Sequence, residues 1–298
     1  MMTALPFVAA HTAEEVTAGL DLSGRTYLVT GCNSGLGHET CRVLALRGAR
    51  IVGAARSEAK AQAALDGLGI DGIAVACDLA DLTSVQAAVD AVRALAPLDG
   101  IVANAGVMAV QELRLVRGLE AQFFTNHIGH FTLVTGLLDT LTETGRVVML
   151  SSGAHRMAPE AGIDFDNLAG EKGYNPWAAY GRSKLANLLF ARSLTRRLAG
   201  SGRTANAVHP GVIDTNLGRH VPNKEAMYQQ LAAAMKTVPQ GASTQCLVAT
   251  HPALDDVSGA YFADNQLAPT LHARAEDDDL AEALWAKSEA IVAEALGR

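Results

Sequence analysis

Short apolar runs that do not alternate, each followed by a helix-like stretch, recur along almost the whole of this 298-residue chain. The runs are Thr26–Thr30, Arg50–Ala54, Ile73–Ala76, Gly100–Ala103, Arg146–Ser151, Thr204–Val208 and Gly259–Phe262. A strand covered on one face alternates apolar and polar residues; one covered on both faces does not. Helical spacing appears between the runs, at Leu36–Arg47, Glu58–Leu68, Leu82–Leu95, Leu113–Thr140, Trp177–Leu198 and Gln240–Ala249. This alternation predicts an α/β fold: a doubly wound parallel sheet of about seven strands with helices on both faces.

No linker, repeat or low-complexity tract interrupts the pattern, so residues 1–298 are expected to form a single domain. Residues 1–23 read as an appendage, in which Thr12 and Glu15 have the spacing of a capping box. Residues 155–176 and 214–238 read as long irregular insertions on the substrate side, and 277–296 as an amphipathic terminal helix. The net charge of −7 and the lack of a basic run argue against nucleic acid and anionic membrane surfaces. No apolar run approaches the ~20 residues of a membrane span, and no anchor or leader is apparent at the start. Cys32, Cys41, Cys77 and Cys246 are far apart and form no CxxC, so they are expected to be reduced and buried. A cytoplasmic protein is the expectation.

The first strand runs into Thr30-Gly31-Cys32-Asn33-Ser34-Gly35-Leu36-Gly37, and a helix begins there. Glycines in that position admit a tight turn and let a phosphate approach backbone N–H groups at the positive end of a helix. The second strand ends in Ala54-Ala55-Arg56-Ser57. A carboxylate there would meet a ribose 2′-hydroxyl; Arg56 instead suits a 2′-phosphate, which favours NADP over NAD. Further on, Tyr180 and Lys184 stand four residues apart on one helical face. A phenol titrates near ~10, and bringing it to neutrality takes roughly 4 kcal/mol. One cation at ~4 Å in a medium of effective dielectric ~20 supplies about that much. The pair therefore reads as a tuned proton donor and acceptor.

Taken together these motifs resemble the short-chain dehydrogenase/reductase family, from about Leu22 to Phe262. The landmarks fall in family order: Thr30-Gly31-x3-Gly35-x-Gly37, Asp78-Leu79, Asn104-Ala105-Gly106, Asn126, Ser151-Ser152, Tyr180-x3-Lys184 and Pro210-Gly211. Asn126-His127-Ile128-Gly129-His130-Phe131, Ser151-Ser152-Gly153-Ala154-His155 and Val208-His209-Pro210-Gly211-Val212 look like the retinol-dehydrogenase-like branch, which includes the WW-domain oxidoreductase.

The resemblance implies a Rossmann-type domain that moves hydride between a nicotinamide and a carbonyl or alcohol. Tyr180 would be the acid/base and Lys184 would hold the nicotinamide ribose. Ser152 would bind the substrate oxygen, and Asn126 would hold a water linking Lys184 to solvent. Cofactor contacts are implied for Gly31, Asn33, Ser34, Gly35, Leu36 and Gly37 in the turn and for Asp78 and Leu79 at the adenine. Asn104, Ala105 and Gly106 would lie near the ribose, and Pro210, Gly211, Val212 and Thr215 near the carboxamide. His155, Met157, Trp177 and Leu217 are expected at the substrate, with Leu168 and Met227 making its pocket apolar. That favours a hydrophobic or aromatic aldehyde, ketone or alcohol. No metal is expected: His127 and His130 lack a third ligand and read as packing or surface residues. The resemblance allows a homodimer or homotetramer through the helices around 113–140 and 177–198. The alternatives are a non-catalytic NADP-binding regulatory or interaction protein on the same fold, and an epimerase using the same Tyr/Lys pair.

Overall fold

The structure, a computed structural model, describes residues 5–298. Seven parallel strands and one antiparallel edge strand form the central sheet: β1 (Thr26–Thr30), β2 (Arg50–Ala55), β3 (Ile73–Ala76), β4 (Leu98–Ala103), β5 (Leu141–Leu150), β6 (Thr204–His209), β7 (Tyr261–Ala263) and β8 (Gln266–Leu267). Their order is β8-β7-β6-β5-β4-β1-β2-β3. The chain winds outward from β1 to β3 and then returns to the other side of β1 to lay down β4. Loops at the carboxyl ends of β1 and β4 therefore diverge, and a crevice opens between them, where ligands bind in sheets of this kind.

The sheet is buried on both faces. Tyr27 and Val29 of β1 join one core with Val102 and Val148, under the helices α1 (Ala13–Val16), α2 (Gly35–Leu46), α3 (Glu58–Gly67) and a later helix at Val238–Thr250. Leu28 of the same strand faces the opposite core with Val52 and Ile101. That core lies under α4 (Leu82–Arg93) and the helices of the second half. Period-2 alternation persists in space, but both sets of side chains are apolar, as the non-alternating runs predict.

The chain departs from expectation at the long helix placed over 113–140. Leu115–Val116 instead pairs antiparallel with Leu119–Glu120, and helix begins only at α5 (Ala121–Phe123). Arg117 and Gly118 both take positive φ, a hairpin turn that no helix accommodates, and the Glu120 carboxylate caps Gln122 N and Phe123 N at 2.9 Å. A π turn, Phe124–Ile128, follows before α6 (Gly129–Thr135). Also unforeseen, β5 starts five residues before Arg146 and an eighth strand closes the edge.

The other elements follow the sequence. Asn175 caps α7 (Pro176–Arg197), which has proline in its first turn. The insertion at 214–238 holds the short α8 (Lys224–Gln230), and a Thr237–Gln240 capping box opens α9 (Val238–Thr250). Asp277 caps α10 (Asp278–Leu296). The appendage, whose first four residues lie outside the described ones, is strapped down. Its Thr12/Glu15 capping box forms, and Asn265 and Gln266 donate to the carbonyls of Val8 and Leu5 at 2.9 and 2.8 Å. Among the described residues no helix is long and apolar enough to cross a membrane.

Candidate active site

Everything that the sequence marks for chemistry, apart from a few buried supports, lines one cleft of about 390 Å³ at the carboxyl ends of the strands. Gly31, Asn33, Ser34, Gly35 and Leu36 form its phosphate-side rim, with Arg56, Asp78 and Leu79 beyond them. Asn104, Ala105 and Gly106 also line it, as do Pro210, Gly211, Val212 and Thr215. Ser152, Tyr180 and Lys184 line it too, as do Met157, Trp177 and Leu217.

The residues of the glycine turn fit a dinucleotide. Ser34 is the N-cap of α2 yet makes no side-chain cap bond, whereas α4, α7, α9 and α10 are all capped by side chains. The first N–H groups of α2 are thus left for an anion, at the positive end of the helix. Gly37, expected as a cofactor contact, lies behind the rim. A Cβ there would stand 2.3 Å from Gly31 O and 2.6 Å from Asn104 Nδ2, so glycine lets the helix press onto the turn.

The part that holds Ser152, Tyr180 and Lys184 is assembled by α7. Gly181 sits where a Cβ would meet Ala154 O and Ala158 N at 2.7 Å, so the tight turn after β5 docks directly on the helix. That contact sets Ser152 beside Tyr180. The Ser151 hydroxyl donates to Lys184 O at 2.7 Å, while Ser152 Oγ only accepts from Ala154 N at 3.1 Å. The hydroxyl free to donate into the cleft is therefore that of Ser152. Lys184 Nζ donates to Leu150 O at 3.0 Å and lies 5.7 Å from the Tyr180 ring centroid. The indole of Trp177 packs edge-on against Tyr180, 6.3 Å between centroids.

The electrostatics differ from the sequence expectation. Burial pushes the Tyr180 phenol up to about 12, with the nearby Ser152 side chain pulling the other way. Burial alone pulls the Lys184 ammonium down to about 8. Burial penalises both charged forms, and here it outweighs the cation's pull on the phenol. A phenol held protonated is, however, the form that donates to a carbonyl oxygen.

Asn126 sits fully buried in the π turn, behind the cleft rather than on its surface. Its Oδ1 accepts from Val107 N at 2.8 Å, and its Nδ2 donates to Val107 O and Ser183 Oγ at 2.9 Å. His130, read from sequence as packing, ties that turn to the glycine-turn strand. Asn126 O only accepts, so His130 Nδ1 carries the proton and donates to it at 2.9 Å. His130 Nε2 then accepts from Thr30 Oγ1 at 2.9 Å, and Thr30 Oγ1 in turn accepts from Asn104 N and Ala105 N. Burial keeps this imidazole neutral, pulling it down to about 4. Neither Thr30 nor His130 announces this link in the sequence, since the partners are 100 residues apart.

His155, expected at the substrate, is not on the cleft. Its ring is buried, with Nδ1 on Ser152 O at 2.7 Å, Nε2 accepting from Leu271 N at 2.7 Å, and Tyr261 edge-on. It braces the turn that carries Ser152. Leu168 likewise belongs to the core, while Met227 does line the cleft. Met108, Arg156, Arg219, Tyr228 and Leu231 also line the cleft and were not foreseen. All four cysteines are buried free thiols, and the described residues contain no cluster able to hold a metal.

A family model described as short chain dehydrogenase matches residues 25–226. The chain is 40% identical over 296 residues to the short-chain dehydrogenase TIC 32 A, chloroplastic, of Brassica napus, with 93% of this chain and 91% of that protein covered. It is 36% identical to human retinol dehydrogenase 14, covering 91% of this chain and 87% of that one. Among solved structures, a short chain dehydrogenase from Burkholderia cenocepacia in complex with NADP superposes with a TM-score of 0.67 at 26% identity, covering 82% of this chain and 98% of that chain.

Proposed function

The chain belongs to the short-chain dehydrogenase/reductase family, in its retinol-dehydrogenase-like branch, and from that premise we propose that it is an NADP-dependent oxidoreductase interconverting a hydrophobic or aromatic carbonyl compound and its alcohol. One observation carries the proposal: Ser152, Tyr180 and Lys184 line the same cleft as Arg56 and the uncapped N-terminus of α2. Supporting it are the solved relative bound to NADP and the absence of a carboxylate at the end of β2.

The cofactor would lie from Arg56 and Asp78 at its adenosine end, across Asn33–Leu36, to Asn104, Gly106 and Thr215 at the nicotinamide end. When bound, it supplies or accepts the hydride. The chain does the rest. The Ser152 hydroxyl donates to the substrate oxygen and fixes its position, and Tyr180 Oη gives that oxygen its proton as negative charge develops there. Lys184 and the neighbouring Asn126 turn keep the phenol in place; the ammonium also stabilises the negative charge left on Tyr180 Oη once its proton is given. Trp177, Met157, Leu217 and Met227 exclude water and offer an apolar wall, which favours a substrate without charge next to the carbonyl. The buried thiols fit a reducing compartment, and we place the protein in the cytoplasm.

The test is NADPH oxidation against a panel of aromatic and aliphatic aldehydes and ketones. Tyr180→Phe should lower kcat by about a thousandfold or more while NADPH binding, followed by its fluorescence, stays within a few fold. Ser152→Ala should lower kcat by about a hundredfold.

A further inference from the structure

Two cations of the cleft, Arg156 and Arg219, have no task in the mechanism above. Arg219 lies in the helical turn Asn216–His220 of the 214–238 insertion and lines the same cleft as Arg56, which comes from the end of β2 on the other side. Among the described residues neither guanidinium pairs with a carboxylate, although the chain is acidic overall. Partial burial, together with the like charge of Arg56, lowers the pKa of Arg219 from its ordinary value. Two unpaired guanidiniums held near each other repel, and an anion between them would remove that penalty.

The surroundings are arranged for such an anion. Thr215 Cγ2 would stand 3.2 Å from a Cβ on Gly35, so the stretch leading to Arg219 rests on the glycine turn. Arg219 Nη1 donates to Asn216 O at 2.9 Å, which orients the guanidinium and leaves its other nitrogens free. Ser57, the N-cap of α3 next to Arg56, makes no side-chain cap bond. The glycine turn itself contributes Asn33 and Ser34 but no cation.

We propose that Arg219 is a second cation for the 2′-phosphate of NADP, meeting it from the insertion while Arg56 meets it from the sheet. This rests on the NADP reading given above and extends it: the same insertion that walls the substrate with Leu217 and Met227 also reads which cofactor is present. A charge-assisted fork to a phosphate contributes about tenfold in affinity at such an exposed site.

The experiment uses binding alone, with 2′,5′-ADP and 5′-ADP as probes, measured by calorimetry on wild type, Arg219→Gln, Arg56→Gln and the double variant. The wild type should prefer 2′,5′-ADP. Arg219→Gln should weaken 2′,5′-ADP about tenfold and leave 5′-ADP within about twofold, the latter also reporting that the variant is folded. The double variant should lose less than the product of the two single losses, as expected for two groups on one phosphate. A wild type with no preference between the probes would overturn the NADP reading and this proposal with it. A wild type that prefers 2′,5′-ADP while Arg219→Gln keeps that preference, or weakens both probes equally, would overturn the role of Arg219 and leave the NADP reading standing.

Discussion

Tyr180 and Lys184 are costly residues to keep where they are. A lysine whose folded pKa is about 8, against an unfolded value near 10.5, is forced to be charged in a dry site at neutral pH. The unfolded chain binds more protons than the fold between about pH 8 and 10.5, so this group makes stability rise with pH across that window. Below it the penalty is fully present, on the order of 3 kcal/mol before the Leu150 hydrogen bond is set against it. Lys184→Met should therefore raise Tm at neutral pH by about 2–4 °C while abolishing turnover, and calorimetry at pH 7 checks it. An unchanged or lower Tm would mean that the ammonium is solvated in the native protein. At this scale Tyr180 and Lys184 were legible as a pair through their helical spacing, and Ser152 through the family resemblance. Thr30, His130 and Arg219 were not, because their partners come from distant loops and nothing local marks them.

Among the elements, the interrupted helix Ala121–Thr135 departs furthest from its sequence pattern. Leu113, Leu115, Val116 and Leu119 have helical spacing, but Arg117-Gly118 turns the chain back, and only then does helix begin. The π turn adds a residue that aims Asn126 at Val107 and Ser183, and π turns carry no compositional mark. This element also carries two imidazoles that burial holds neutral, His127 at about 3 and His130 at about 4. Their unfolded counterparts titrate near 6.5, so the unfolded state gains protons first as pH falls. Stability is whole above about pH 6.5 and is lost toward pH 4, with about 2 kcal/mol lost per imidazole at pH 5. Urea midpoints at pH 7 and 5 should show that loss, and His127→Leu should reduce it. A midpoint independent of pH in this range would show that the rings take up protons in the fold as readily as in the unfolded chain.

Over the whole molecule, the strand–helix rhythm was enough for the sheet, its two buried faces and the crevice at the switch between β1 and β4. The arrangement of the last helix was not legible. α10 was expected as a terminal helix, yet it packs across α7 and the π turn, with Trp285 between Phe131 and Phe190 at 5.0 and 5.6 Å and His127 on Ser288 Oγ at 2.9 Å. α10 thus packs on part of the helices around 113–140 and 177–198, the regions expected as association faces. Light scattering at micromolar concentration should give the monomer mass if α10 closes that surface; a dimer or tetramer mass would show that association survives it. What the whole arrangement is for rests on one group in the cleft. The most direct measurement is the steady-state loss of NADPH absorbance with aromatic aldehydes and ketones, wild type beside Tyr180→Phe, with NADPH binding measured on both. Turnover by the wild type, cut about a thousandfold in a variant that still binds NADPH, is the predicted result. Turnover that Tyr180→Phe leaves unchanged, or none by a wild type that binds NADPH tightly, would contradict it.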